Sequence, residues 1–153
     1  MRVAMSRPSR SAPRLAPPRE PLFEFCVHAR PASARTRNRA GLAAWQQTIR
    51  DAAVAAWPEG IAPLEAEIEL RITHFGEKQF MDMDNLIKPI QDALQGIAYL
   101  DDRQVRDVTG RWRDIEGRYS LRYIAPCLVD AFSAGGEFVY IRLWIAREDV
   151  ELD

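Results

Sequence analysis

Residues 64–75, "LEAEIELRITHF", form the clearest strand pattern in the chain. Apolar side chains stand at every second position, namely Leu64, Ala66, Ile68, Leu70 and Ile72. Charged side chains stand between them, so one face of this strand would be buried and the other solvated. The pattern predicts a strand that anchors a sheet.

Two elements and an exposed loop are predicted before this strand. Residues 22–29, "LFEFCVHA", alternate well enough for a first strand. Residues 42–57 repeat apolar positions at intervals of three and four, which predicts an amphipathic helix ended by Pro58. The loop between them, "RPASARTRNRAG", is polar and rich in arginine.

A second helix is predicted after the strand, from about Asn85 to Gly96. Asp84 is expected to cap its N-terminus, and Gly96 is expected to end it. Pro89 would lie inside this helix, where it has no N–H to donate and crowds the carbonyl four residues earlier. We therefore expect an irregular first turn.

The C-terminal part is predicted to add strands to the same sheet. Residues 103–115 and 117–125 read as two strands joined by a turn around Glu116 and Gly117. Residues 126–136 have room for one or two helical turns, and residues 137–146 read as a last strand. The order of elements predicts an α/β (α+β) fold, in which two main helices pack on a mixed sheet.

The length and charge of the chain indicate one domain with a basic arm. The 153 residues, 47% of them apolar, are enough for one core. Residues 1–50 carry ten arginines and two acidic residues, a charge of +8, whereas the remainder carries −9. We predict that residues 1–21 are a disordered arm rich in Pro and Arg, and that residues 22–153 form the domain. Charge alone fits a polyanion-binding arm and a solvated tail equally well.

Several other classes are disfavoured by the sequence. Cys26 and Cys127 lie far apart with no C-x-x-C spacing, which argues against a zinc site or a disulfide framework. No apolar run reaches the roughly 18 residues of a membrane span, and no secretory signal pattern is present. The cytoplasm is the expected location.

Two pairs of aspartates flank the second predicted helix: Asp82 and Asp84 before it, Asp101 and Asp102 after it. The helix would be roughly 18 Å long, and an extended connection from Gly96 would span about 16 Å, so a cluster of all four is possible. Clustered carboxylates repel one another unless a hard cation such as Mg²⁺ lies between them. Such a site suits phosphoryl transfer or hydrolysis.

Each pair taken alone also fits an ordinary cap or surface turn. Lys88 has two interpretations as well. The chain has nineteen arginines and only two lysines, so a compact ammonium one turn into the helix suggests a role against a phosphate or a carboxylate. Equally, Lys88 could pair with Asp84 or Asp92 one turn away.

Taken together, "DMDNLIKPIQDALQGIAYLDDRQV" resembles the signature of the RusA family of Holliday junction resolvases: D-x-D-N-L-x-K, then D-A-L, then D-D-x-Q-V. The resemblance implies a small α/β homodimer that binds four-way junctions and cuts them with Mg²⁺ or Mn²⁺. It implies that Asp82, Asp84 and Asp102 bind the metal and that Lys88 is a functional lysine, while Asp101 is a further candidate ligand.

The arginine-rich loop is similar to the Pro, Ser and Arg rich N-terminal loop of that family. Our candidates for contacts with the DNA backbone are Arg30, Arg35, Arg37 and Arg39. The sequence departs from short members of the family in its N-terminal arm and in about twenty extra residues around "IEGRYSLRYIAPCLVDAFSAGG". Two alternatives stay open: a non-catalytic module that binds branched DNA, and a general metal-dependent DNA nuclease with the same site.

Overall fold

The computed structural model describes residues 19–120 and 125–148. It forms one α/β domain with a mixed four-stranded sheet and three helices, as predicted. The elements in chain order are β1 (Phe23–Val27), α1 (Arg39–Ala56), β2 (Ile68–Gly76), α2 (Met83–Leu94), a short 3-10 helix (Asp102–Gln104), β3 (Val105–Asp114), α3 (Pro126–Ala134) and β4 (Phe138–Ile145).

The sheet has the strand order β1-β4-β2-β3. The strand anticipated from the alternating pattern, β2, lies inside the sheet, between antiparallel β4 and parallel β3. Because β2 and β3 are parallel, the chain must return across the sheet between them, and α2 lies in that return. The two aspartate pairs therefore lie at the two ends of a crossover connection.

Two layers cover the sheet. One face packs against α1 and α2, and its core contains Trp45, Ile49, Ile72, Leu86 and Ile90, all buried. On the other face, α3 covers one end through a smaller cluster around Phe75, Phe132 and Phe138. The two main helices predicted from apolar spacing, α1 and α2, therefore pack on the same face of the sheet. Each buries its single apolar stripe there.

Strand β2 begins at Ile68, four residues later than its alternating pattern suggested. The carbonyls of Leu64 and Ala66 accept hydrogen bonds from the side-chain amide of Gln104, at 2.7 and 3.0 Å, instead of bonds from a neighbouring strand. Side-chain periodicity cannot reveal that Gln104 takes the place of a neighbouring strand here, because apolar and charged residues still alternate.

The prediction of a second strand after Asp102, over residues 117–125, is wrong for those of its residues that the structure describes. Residues 117–120 are not in a strand, while residues 121–124 lie outside the described residues. The turn around Glu116 is present, and Tyr119 donates a hydrogen bond to the carbonyl of Asp114. The predicted helical turns and the last strand are confirmed as α3 and β4.

The predicted arm lies mostly outside the described residues, which begin at Arg19. Arg19 itself contacts the domain, since its guanidinium is 3.1 Å from the carboxylate of Glu69. Cys26 and Cys127 are both free thiols. In the described part of the chain, none of the helices has the length and apolarity needed to cross a membrane.

Candidate functional site

The site begins at the N-terminus of α2. Asp82, not Asp84 as expected, occupies the N-cap position with extended backbone angles, and its side chain makes no capping hydrogen bond. Asp84 is the second residue of the helix, where the helix dipole favours a negative charge. Both residues are exposed, and none of the salt bridges among the described residues involves either carboxylate. Two carboxylates are therefore presented together at one helix end.

Pro89 lies inside α2, and the helix is continuous through it, contrary to the irregular first turn that we expected. Because proline has no N–H, the carbonyl of Asn85, four residues earlier, has no partner within the helix. That carbonyl instead accepts a hydrogen bond from the backbone N–H of Ala34, at 3.0 Å. The proline therefore creates an acceptor on α2 that the arginine-rich loop occupies.

This contact attaches the loop of the candidate DNA-binding arginines to α2, the helix at whose N-terminus Asp82 and Asp84 lie. Arg35 and Arg37 are exposed on the same loop as Ala34. Arg39 begins α1, and its guanidinium is 3.4 Å from the carbonyl of Ala34. Arg30 lies 4.3 Å above the ring of Phe80, a partly exposed aromatic residue two positions before Asp82. Sequence reasoning did not identify Phe80, because one aromatic residue in a polar loop carries no pattern.

Lys88 joins α2 to the segment that precedes β3. Its ammonium nitrogen is 2.7 Å from a carboxylate oxygen of Asp92 and 3.0 Å from one of Asp102. The hydrogen bonds with Asp92 and then Asp102 raise the pKa of Lys88 above its usual value, so this amine stays charged. The contact with Asp92 matches the interpretation of Lys88 as a helix partner, and the contact with Asp102 fits a carboxylate-positioning role, which stays a prediction.

Asp101 has structural partners. Its carboxylate accepts a bond from the backbone N–H of Arg103 and pairs with that guanidinium at 2.9 Å, while Gln104 completes a capping box. The bonds with Arg103 lower the pKa of Asp101 to about 2. As a metal ligand, Asp101 would have to exchange these partners, so its candidate role stays a prediction.

The four aspartates do not form one cluster in this chain. Across residues 19–120 and 125–148, no three His, Cys, Asp or Glu side chains are grouped so as to hold a metal ion. The connection after α2 is folded rather than extended: Gly96, with φ +82°, donates to the carbonyl of Tyr99 at 2.7 Å. The buried Tyr99 in turn donates to the carbonyl of Gln91. Asp102 therefore stops at the level of Lys88 and Asp92.

The donors that are present still suit a hard cation. Mg²⁺ takes oxygen ligands and is usually held by one or two carboxylates together with waters and substrate phosphates. Asp82 and Asp84 offer such a pair on an exposed helix end. Asp102 offers a third carboxylate, one of whose oxygens is engaged by Lys88.

Comparison with known families decides the class of this protein. The sequence model for endodeoxyribonuclease RusA matches residues 26–122. The chain belongs to the RusA endodeoxyribonuclease family. None of the curated proteins matches it.

The matched RusA region runs from the end of β1 through the arginine-rich loop and α2 to β3, and so contains every site residue described above. The resemblance found in the aspartate motif is thereby confirmed at the level of the family. Membership makes the domain an endodeoxyribonuclease, which is a hydrolase. The individual roles of Asp82, Asp84, Lys88 and Asp102 stay predictions.

In this RusA-family domain, sequence reasoning missed the contact between Ala34 and Asn85. Its sequence signal is Pro89. A proline inside a helix predicts a carbonyl without its usual donor four residues earlier, but it does not predict which group donates to that carbonyl. Asp92 was predicted as one of two possible helix partners of Lys88, and the structure makes it the nearer of the two carboxylates that Lys88 contacts.

Proposed function

We propose that this protein is a divalent-metal-dependent endodeoxyribonuclease that acts as a homodimer on Holliday junctions or related branched DNA in recombination and repair. The cytoplasm is its proposed location. The observation that carries the proposal is the hydrogen bond from Ala34 to Asn85, which joins four exposed or partly exposed arginines to the helix of Asp82 and Asp84. This attachment supports the proposal because hydrolysis of a phosphodiester needs cationic side chains for the phosphates and carboxylates for a metal on the same substrate.

The proposed roles follow from the chemistry of the side chains. We propose that Asp82 and Asp84 would hold Mg²⁺ or Mn²⁺, and that Asp102, one of whose oxygens is bound by Lys88, would be a third ligand only after it approaches them, because the three carboxylates are not grouped among the described residues. The cation would polarise the phosphate and lower the pKa of a water. Lys88 holds the carboxylate of Asp102 toward α2 and supplies a positive charge beside the reacting phosphate. Arg35 and Arg37 contact the DNA backbone as exposed cations.

A two-fold enzyme suits the proposed substrate. A four-way junction presents two equivalent strands, and a homodimer with closed symmetry presents two equal sites to them. An isolated domain would cut one strand at a time and leave a nicked junction. The homodimer therefore belongs to the proposal together with the junction.

The test is cleavage of three labelled substrates: a four-way junction, a linear duplex and a single strand. Each is incubated with Mg²⁺, Mn²⁺ or EDTA and with wild type or Asp84→Asn. We expect the wild type to cut the junction preferentially and only with a metal, and Asp84→Asn to lose this activity because a metal-binding oxygen becomes an amide.

The matched control is Asp51→Asn, which removes one exposed carboxylate from α1. It should cut as the wild type does. Cleavage that survives both EDTA and Asp84→Asn would refute the metal site. Equal cutting of the linear duplex would identify a general nuclease, and junction binding without any cleavage would identify a non-catalytic module.

A further inference from the structure

The sheet face opposite α1 and α2 carries a group of arginines that the proposed nuclease site does not use. Arg71 on β2 lies directly opposite Arg142 on β4, and Arg111 on β3 lies opposite Thr73, the next β2 residue on the same face. Arg19 also reaches this face, where its guanidinium pairs with Glu69. We call the surface formed by Arg19, Arg71, Arg111 and Arg142 the arginine face.

Like charges directly opposite each other on neighbouring strands are unfavourable, so the pairing of Arg71 with Arg142 needs compensation. Aromatic rings supply part of it. The guanidinium of Arg71 lies 4.6 Å from the ring centre of Trp144, and that of Arg142 lies 4.9 Å from the ring centre of Tyr140. Both rings are almost fully buried, so they hold the cations in place without neutralising them.

Carboxylates compensate these cations incompletely. Glu69 is shared between Arg19 and Arg71, at 3.1 and 3.0 Å. Glu24 lies opposite Arg142 on β1, but it accepts a hydrogen bond from Tyr140 and forms no salt bridge with Arg142. Asp107, opposite Glu69, is the remaining acidic residue on these strand positions.

Arg142 is the least satisfied member of the group. Its Nε is buried, and among the described residues it has no hydrogen-bond partner. Burial lowers the pKa of Arg142, and the neighbouring charges of Arg71 and Arg111 lower it further. A buried guanidinium nitrogen without an acceptor, beside two other arginines, is an arrangement that an anion would stabilise.

The described part of the chain begins at this face. Arg19, the first described residue, is tied to the face through Glu69, and its carbonyl accepts a bond from Trp144 at 3.3 Å. The eighteen residues before it contain four arginines and no acidic residue. Positive charge therefore continues from the arginine face into the sequence that precedes it.

We propose that the arginine face binds the phosphate backbone of DNA at a second surface, separate from the aspartate helix α2. The proposal rests on the proposed function, since a branched substrate has more than one arm to hold. Charge complementarity selects the partner: phosphate oxygens satisfy guanidinium groups in bidentate geometry. A second copy of this face would bring arginines against arginines.

The experiment measures binding of a labelled four-way junction in EDTA, where metal-dependent cleavage is absent, over a range of NaCl concentrations. The variants are Arg111→Gln, which changes an exposed residue, and Arg142→Gln, which changes the partly buried one. Each lost phosphate contact should reduce the slope of log K against log salt by about 0.9 and weaken binding severalfold. Junction and linear duplex should be affected alike, because the contact reads no sequence.

Arg50→Gln is the matched control, because it removes one exposed arginine from α1, on the opposite side of the sheet. It should affect binding less than Arg111→Gln does. Unchanged slopes in both Arg111→Gln and Arg142→Gln would overturn the proposal. A second outcome would also overturn it: inorganic phosphate raises the melting temperature of the wild type but not of Arg142→Gln, while both proteins bind DNA equally well. The arginine face would then be a site for a small anion and not for DNA.

Cleavage separates this inference from the proposed function. With Mg²⁺, Arg111→Gln should need a higher enzyme concentration than the wild type for half-maximal cleavage of the junction, because binding is weakened while the aspartate helix is untouched. If the wild type proves inactive, the salt dependence in EDTA still tests the arginine face by itself. A variant with lost cleavage at saturation and unchanged affinity would contradict a role in DNA binding.

Discussion

At the scale of single residues, Lys88 is the side chain on which the candidate site depends most. It bonds both to α2, through Asp92, and to the segment before β3, through Asp102. The side chain is 55% exposed, so these salt bridges contribute little to folding. Its value to the protein is therefore expected in catalysis and in the position of Asp102.

Replacing Lys88 with Met should separate these two contributions. We expect the rate of junction cleavage to fall about 100-fold or more, because a fixed positive charge beside the reacting phosphate is lost. The free energy of unfolding should change by less than about 1 kcal/mol, as is usual for exposed ion pairs. Single-turnover cleavage and urea denaturation measure the two quantities.

Lys78→Met is the control for Lys88→Met, because it removes the other lysine of the chain. Lys88→Arg should recover part of the activity, since it keeps the charge but not the compact ammonium. A cleavage rate for Lys88→Met equal to that of the wild type would show that Lys88 is only a helix partner.

His74 gives the fold a dependence on pH. The ring is almost fully buried in β2 and bonds to Glu137. Burial lowers the pKa of His74 below its ordinary 6.5, and the charge of Arg30 also lowers it, against an opposing effect of Glu137. The folded protein therefore favours the neutral ring, so stability is present above pH 6.5 and is lost as the pH falls through 6.5 toward the lower pKa.

The melting temperature of the wild type should thus fall as the pH is lowered from about 8 to 5, since the unfolded chain binds a proton that the folded chain resists. His74→Gln should show a flatter dependence over the same range. His28→Gln, which changes the exposed histidine, should keep the slope of the wild type. Parallel curves for wild type and His74→Gln would contradict this assignment.

At the scale of elements, α2 both packs against the sheet and holds the arginine-rich loop in position. Its apolar stripe packs against the sheet, while Pro89 frees a carbonyl for the arginine-rich loop. A proline inside a helix costs about 3 kcal/mol relative to alanine. The contact with Ala34 offsets this cost by fixing the position of the loop.

Pro89→Ala should therefore strengthen the helix and loosen the loop. The restored N–H competes for the carbonyl of Asn85, so hydrogen exchange at Ala34 should become faster while the melting temperature stays equal or rises. Junction affinity in EDTA should fall, because Arg35 and Arg37 are held less firmly.

Ala34→Pro tests the same contact from the other side, since it removes the donor and leaves the helix unchanged. Both variants should weaken junction binding in the same direction. If Pro89→Ala raised stability without any change in hydrogen exchange at Ala34 or in affinity, the loop would be positioned by other contacts.

At the scale of the whole molecule, the sheet separates two surfaces that both carry arginines, and only one of them also carries the aspartate pair at the start of α2. On one side, α1 and α2 carry the aspartates and the arginine-rich loop; on the other, the arginine face is left beside α3. Both surfaces belong to a domain whose strand order, β1-β4-β2-β3, cannot be read from local sequence. A branched DNA substrate is large enough to contact more than one such surface.

The proposed homodimer makes a prediction at this scale. Mixing differently tagged wild-type and Asp84→Asn chains should produce mixed dimers with one intact site, which nick the junction in one strand and do not resolve it. Gel analysis of the products under native and denaturing conditions measures this. A monomer in sedimentation experiments at the concentrations that cleave, or full resolution by mixed dimers, would contradict it.

The sequence by itself determined the fold class, the two main helices, the family motif and the candidate residues, because apolar periodicity and motif spacing are local properties. It also predicted that Asp101 and Asp102 could return to Asp82 and Asp84, which one chain does not do. The tertiary structure decided that point, since the turn at Gly96 and Tyr99 shortens the connection and Lys88 takes Asp102. It also decided which loop donates a hydrogen bond to the carbonyl freed by Pro89, and which arginines lie opposite each other on neighbouring strands. These pairings join residues that are distant in the chain, and their energies depend on contacts that no local pattern encodes.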